Sequence, residues 1–158
     1  MGHTSTTAVV LIVLTIAGVV ASSVVLWDGL VTSERATVYL PSVNLPQGCV
    51  RPAGGYLIIA NQYGYNDSVL QGAGPTKAWP VIDVSQGQDV KITVCNVDPI
   101  QSHGFQVGNY DDKTVHSIAP GQVLTVSFLA NTAGDFPIYC AIFCTIHLFM
   151  EYGQLRVS

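Results

Sequence analysis

Two hydrophobic patterns follow one another along the chain. Residues 8–27 read AVVLIVLTIAGVVASSVVLW, and no Asp, Glu, Lys or Arg stands before Asp28. At 1.5 Å per residue this run makes a helix of about 30 Å, the depth of a bilayer's hydrocarbon core. The pattern predicts a single transmembrane α-helix. Its Val and Ile residues are poor helix formers in water, but in lipid a closed helix is the one way for a single segment to satisfy its backbone. Trp27 then falls where an interfacial aromatic belongs. A cleavable signal peptide is the competing reading, for which Ala17, Ala21 and Ser22 supply small residues. Against it stand the missing basic start and the length of the apolar run. The residues before the run hold neither Lys nor Arg, so charge asymmetry does not orient it. The Met-Gly start with Thr6 matches a myristoylation pattern of a length that arises mostly by chance.

Past Asp28 the period shortens to two. Gly55-Tyr-Leu-Ile-Ile-Ala, Asp89-Val-Lys-Ile-Thr-Val-Cys, Val123-Leu-Thr-Val-Ser-Phe and Gln154-Leu-Arg-Val are β-branched or alternate apolar with polar. Ser85-Gln-Gly, Ala119-Pro-Gly and Thr132-Ala-Gly-Asp punctuate them as turns. No stretch after residue 35 keeps a helical period over three turns. The pattern predicts an all-β domain, a sandwich or Greek-key barrel, over 55–158. It is led by a segment at 33–54 and preceded by the N-terminal segment and anchor at 1–32. No internal repeat or low-complexity tract interrupts it.

Composition narrows the function classes. At 49% hydrophobic and 10% charged residues the chain is far from the disordered class. Ten acidic against six basic residues leave a net charge of -4. The Lys and Arg residues are scattered and form no stripe that could displace counterions from phosphates, so no nucleic-acid partner is expected.

The chemistry concentrates near the end of the chain. Tyr139-Cys140-Ala-Ile-Phe-Cys144-Thr-Ile-His147-Leu-Phe-Met150 gathers two thiols, an imidazole and a thioether, with no acid or base between them. These are soft and borderline ligands of the kind copper selects. A dry loop suits a redox metal, because little solvent must rearrange when the charge changes, and suits hydrolysis poorly because nothing in it shuttles protons. Three plainer readings compete. Two Cys and one His could bind structural zinc, although Met is a poor zinc ligand and the spacing is unusual. Cys140 and Cys144 could form a disulfide, strained across so short a loop. Met150 and the aromatic residues could simply be core. A ligand from elsewhere in the chain is expected for copper, and His103, between a strand ending near Cys95 and one beginning at Phe105, is preferred. His116 lies in a polar stretch where a solvated ring is the simpler reading, and His3 stands on the far side of the candidate anchor.

With these residues in order, the chain resembles subunit II of haem-copper terminal oxidases, the membrane-anchored cupredoxin that carries the binuclear CuA centre. The resemblance covers 55–158, and the single N-terminal helix is similar to that of short bacterial and archaeal variants. Leu57-Ile-Ile-Ala-Asn-Gln-Tyr63-Gly-Tyr65 resembles the family's aromatic segment, with Tyr where Trp is common. Val97-Asp98 followed by His103-Gly-Phe resembles the first histidine motif, with additional residues between Asp and His. Ile118-Ala-Pro120-Gly121, Ala133-Gly134-Asp135-Phe136 and the Cys loop follow in the family's order.

The resemblance implies a Greek-key cupredoxin fold behind one transmembrane helix. It further implies that Cys140 and Cys144 bridge two coppers, that His103 and His147 each cap one, and that Met150 and the carbonyl of Ile142 are the weak ligands. The function implied is an electron-accepting subunit outside the cytoplasmic membrane. It would take electrons from an external donor, a c-type cytochrome or small copper protein, and pass them to the haem of the catalytic subunit I. The chain alone would be an electron-transfer protein within an oxidase complex.

One departure bears on the metal. The family pattern is Cys-x3-Cys-x3-His-x2-Met, and here only Thr145 and Ile146 separate Cys144 from His147. One residue shifts a side chain by more than metal–ligand distances tolerate, so the loop must be rearranged if two coppers bind. Cys144-x2-His147-x2-Met150 with His103 also has the spacing of a mononuclear blue-copper site. A membrane-tethered blue-copper carrier, a metal-free subunit of a quinol oxidase and a copper-delivery module remain as alternatives. Cys49 and Cys95 read as either a disulfide or two buried thiols. Asn66-Asp-Ser68 is a glycosylation sequon. Trp79 is either a docking aromatic or a strand-edge core residue.

Overall fold

The computed structural model describes residues 44–158. The candidate span at 8–27 lies outside them, and among the described residues no helix is long and apolar enough to cross a membrane.

Among the described residues nine strands form two sheets. β1 (Tyr56–Asn61), β2 (Gly64–Tyr65), β4 (Asp89–Asn96) and β7 (Val123–Leu129) make the first, in the order β2-β1-β4-β7. β3 (Val81–Val84), β5 (His103–Val107), β6 (Asp111–Ile118), β8 (Gly134–Tyr139) and β9 (Gly153–Val157) make the second, in the order β3-β9-β8-β5-β6. β1 runs parallel to β4 and β3 parallel to β9, and the remaining pairs are antiparallel. A one-turn helix, α1 (Ser68–Gln71), follows β2. The all-β sandwich expected from the period-two runs is therefore what forms.

Alternation along β4 shows why the sheets face one another. Val90, Ile92 and Val94 point into a core shared with Ile58 of β1, Phe105 of β5 and Leu155 of β9, while Asp89 and Lys91 face out. The outward pattern stops at Thr93 and Cys95, which are also buried. Cys95 is joined to Cys49, so the two cysteines form a disulfide and not a pair of free thiols. Linking residues 46 positions apart stabilises the fold by about 4 kcal/mol in the chain-entropy account.

The stretch around His116 that reads as polar is strand β6, an edge whose charged positions discourage further pairing. The His116 side chain is 24% exposed, so water reaches it, and it also has a carboxylate partner. Its Nε2 lies 3.0 Å from Asp111 Oδ2 and its strand position faces Phe105. The sequon is committed to structure as well: Asn66 Oδ1 accepts the Ile59 amide at 2.6 Å, and the buried Ser68 hydroxyl donates to Tyr65 O. Trp79 is half-buried and donates its indole N–H to Tyr65 O at 3.0 Å.

One end of the sandwich is closed by aromatic packing. Tyr110, in the turn between β5 and β6, stacks on Phe128 at 4.8 Å and meets Phe136 edge-on at 4.9 Å. At the other end two chain crossings meet. The first leaves β4 at Asn96 and enters β5 at His103; the second leaves β8 at Tyr139 and enters β9 at Gly153. β5 and β8 pair through Gln106↔Tyr139, so the start of β5 lies beside the start of the Cys loop.

Candidate metal centre

The first crossing is built on Asn96. Fully buried, it donates from Nδ2 to Gln101 O (2.7 Å) and Ile118 O (2.8 Å), and its Oδ1 accepts the Asp98 amide at 2.9 Å. Asp98 in turn accepts the amides of Ile100 (2.8 Å) and Gln101 (3.0 Å) on Oδ1 and faces His103 Nε2 at 3.1 Å with Oδ2. Burial alone would raise the Asp98 pKa. The two amides and the imidazole outweigh it and hold the carboxyl below its ordinary range. Burial also pushes the His103 pKa down, against the pull of Asp98. The ring is therefore neutral near pH 7. With its Nε2–H given to Asp98, its lone pair is left on Nδ1, and that buried atom has no hydrogen-bond partner.

The second crossing folds onto itself. Cys140 N donates to Met150 O at 2.9 Å, closing the loop, and residues His147–Phe149 form a single 3-10 turn. The turn is how the short spacing is accommodated: His147 N reaches Cys144 O at 3.2 Å and Met150 N reaches His147 O at 2.8 Å. Cys140 Sγ lies 3.9 Å from Cys144 Sγ and 3.1 Å from Ile142 O, and Cys144 Sγ lies 3.8 Å from Met150 Sδ. The cysteines are free thiols, both buried. The donor atoms of Cys140, Cys144 and His147 all fall within 4.8 Å of one another. His103 is not part of that close trio; it adjoins it through Gly104, whose amide donates to Cys140 Sγ at 3.1 Å.

Two features of this end were not legible as site residues. Glu151, four residues after His147, places Oε1 2.5 Å from His147 Nε2. The His147 Nδ1 is again buried and without a partner. An acid at i+4 from a histidine on a compact loop was the available signal. Tyr65, fully buried, donates its hydroxyl to Gly104 O at 2.6 Å and so holds the residue whose amide contacts Cys140. Burial, with the neighbouring thiols of Cys140 and Cys144, raises the Tyr65 pKa well above its ordinary value, so the hydroxyl stays a donor.

These residues fit copper. Each histidine rests Nε2 on a carboxylate and leaves Nδ1 bare, the wiring by which outer carboxylates orient metal-bound imidazoles. Two sulfurs and a thioether beside them are soft donors. Burial and the adjacent Cys140 raise the Cys144 pKa, so in the metal-free protein the Cys144 thiol holds its proton and uptake of a metal there releases it. Gly104 leaves no room to spare in this packing: a Cβ there would stand 2.6 Å from Ala141 N and 3.2 Å from Cys140 Sγ.

No known protein-family profile matches the chain. Nitrous-oxide reductases from Pseudomonas fluorescens and Stutzerimonas stutzeri are each 37% identical to it over 78 residues. That is 48% of this chain and 12% of theirs, so the chain spans about an eighth of the length of these curated relatives. Among solved structures, a blue copper oxidase from Nitrosomonas europaea superposes with a TM-score of 0.52 at 22% identity, over 66% of this chain and 38% of that one. Auracyanin from Roseiflexus castenholzii does so with a TM-score of 0.50 at 14% identity, over 66% of this chain and 96% of its own. The sandwich is thus cupredoxin-like.

Proposed function

We propose that the chain is an electron-transfer protein whose copper is held by Cys140, Cys144, His103, His147 and Met150, with the Ile142 carbonyl as a further weak ligand. One observation carries the reading: two imidazoles, each braced by a carboxylate, leave bare Nδ1 atoms at the end of the sandwich where paired thiols and a thioether meet. Copper in such a set changes oxidation state by single electrons. The chain's own part is to keep that change inexpensive. Buried Met150, Cys140 and Cys144 lie in one cluster with the sandwich core, so few solvent dipoles must turn when the charge changes.

The paired thiols, close to each other and with Cys140 Sγ also against Ile142 O, favour the binuclear arrangement over the mononuclear one. In this reading the chain is the electron-accepting subunit of a haem-copper terminal oxidase, anchored through residues 8–27 with the domain outside the cytoplasmic membrane. Its donor would be a c-type cytochrome or small copper protein and its acceptor the haem of the catalytic subunit. The Cys49–Cys95 disulfide supports an oxidising compartment. A second reading, the same electron supply to a nitrous-oxide-reducing partner, is favoured by the likeness to two nitrous-oxide reductases, whose named activity consumes electrons.

Copper stoichiometry and the electron spin resonance spectrum of the purified full chain test the centre. We expect two coppers per chain and hyperfine splitting from both nuclei, and Cys144→Ser should abolish that splitting. A colourless protein that takes up zinc in preference to copper would sink the reading. Mild detergent extraction then separates the partners, since haem and a large membrane subunit accompany the chain only in the oxidase case.

A further inference from the structure

The two crossings at the metal end depart from the resembled pattern in opposite senses. The first has residues added between Asp98 and His103, and the second lacks one between Cys144 and His147. In the structure these departures touch. Gln101, among the added residues, donates from Nε2 to Thr145 Oγ1 at 2.8 Å, and its Oε1 accepts the Thr145 amide at 3.0 Å. The Thr145 hydroxyl also lies 3.1 Å from that Oε1. Thr145 is the residue directly after Cys144, where the shortened segment begins.

The Gln101 backbone is itself immobilised. Its N–H is held by Asp98 Oδ1 and its carbonyl by Asn96 Nδ2, both rooted at the end of β4. A continuous hydrogen-bonded path therefore runs from the first sheet through Asn96 and Gln101 to Thr145, and so to the peptide that carries the Cys144 thiol. The Cys loop has its own internal closure at Cys140 N and Met150 O, and a seam to β5 at Gly104 N and Cys140 Sγ. The stretch between Cys144 and His147 is closed on itself by His147 N on Cys144 O at 3.2 Å, and Gln101 is what ties it to the β4–β5 crossing.

We propose that Gln101 is a positioning residue. Its amide latches Thr145 and fixes the short Cys144–His147 segment against the β4–β5 crossing, so that the longer crossing compensates for the shorter loop. The assignment rests on the copper reading given above. It accounts for a polar side chain reaching across an exposed surface to a backbone amide that solvent could satisfy unaided. Ile100, next to it and 83% exposed, makes no comparable side-chain contact and serves as a control position.

The test compares full-length wild type with Gln101→Ala, Gln101→Glu and Ile100→Ala. In the metal-free proteins, amide hydrogen exchange at Thr145 should quicken roughly tenfold in Gln101→Ala, as the loss of about two hydrogen bonds requires. It should rise less in Gln101→Glu, which keeps the acceptor, and stay unchanged in Ile100→Ala. In the copper-loaded proteins, release of copper to a chelator should accelerate in the same order, with an altered hyperfine pattern for Gln101→Ala. Unchanged exchange in Gln101→Ala overturns the latch. Faster exchange with wild-type copper release and spectrum overturns the positioning role and leaves an ordinary surface hydrogen bond. Wild type that takes up no copper overturns the copper reading instead, while the exchange measurement still decides whether Gln101 holds the loop.

Discussion

His103 and His147 are wired alike and exposed differently. Each gives Nε2 to a carboxylate and keeps a bare Nδ1, yet the His103 and Asp98 side chains are 0% and 2% exposed, whereas those of His147 and Glu151 are 27% and 39% exposed. The buried pair also organises backbone, since Asp98 receives two amides besides the imidazole. Glu151 receives none. One arm is thus part of the fold and would bring His103 to copper with it; the other is a candidate ligand arm that the fold leaves at the surface.

The seam between the arms is the place where a single atom should break both. Gly104→Ala puts a Cβ against Ala141 N, Ile142 N and Cys140 Sγ, atoms of backbone and of a buried thiol that cannot swing away. We expect a loss of about 3 kcal/mol from overpacking, and loss of copper binding with it. Unfolding and copper titration on the same preparation check both. A variant that kept wild-type copper affinity would show that the two crossings do not share this contact.

The contrast between the arms predicts the next largest effect. Asp98→Ala strands the buried His103 Nε2 and takes the acceptor from two part-buried amides, costing about 2 kcal/mol. Glu151→Ala removes an exposed partner and should cost less than about 0.5 kcal/mol. Denaturant midpoints of the metal-free proteins decide, and equal losses would erase the distinction drawn here.

These two carboxylates also mark how far the sequence could be read. Period-two runs located β1, β4, β7 and β9 almost to the residue, because each buries one face and turn residues bound it. They were silent on β6, a strand by virtue of its pairing with β5 and not of its polar side chains. Soft ligand types singled out the Cys loop, and the fold brings Cys140, Cys144, His147 and Met150 together. Glu151 and Gln101 were passed over for a physical reason. The i+4 spacing brings Glu151 to His147 only once the 3-10 turn at His147–Phe149 forms, and no spacing points from Gln101 to Thr145, which meet because the β4–β5 crossing lies against the Cys loop.

Acid should separate the arms further. The pKa of His103 is lowered by burial, so its neutral form is the one the fold favours. Its contribution is present above the ordinary value of 6.5 and is lost as pH falls from there through the depressed folded value. Asp98, held below 3.8 by its amides and by His103 in spite of burial, keeps its contribution above that value. It loses it as pH falls through the lower one. Stability of the metal-free protein should therefore fall in two stages on acidification, the upper one absent in His103→Asn. An upper stage surviving that substitution would assign it to another group.

The smallest effect on the fold should be the most informative about use. Phe143 is 92% exposed in the Cys loop, its ring 6.5 Å from that of His147, and Leu148 at 68% exposure belongs to the same loop. Large apolar side chains held in water beside His147 contribute almost nothing to stability, so Phe143→Ala should shift unfolding by no more than about 0.5 kcal/mol. The copper spectrum should be unchanged, since Phe143 supplies no donor atom. What should change is the rate at which electrons cross to or from a partner. We expect it to fall several-fold at low partner concentration and to recover at saturation, the pattern of a lost contact and not of an altered centre. The matching substitution in the closed arm, Ile100→Ala, removes an exposed apolar residue without touching a ligand loop. If stopped-flow rates fell equally in both, the partner would be meeting the whole end of the sandwich; a fall in Phe143→Ala alone would place the crossing at His147, the arm that the fold leaves open.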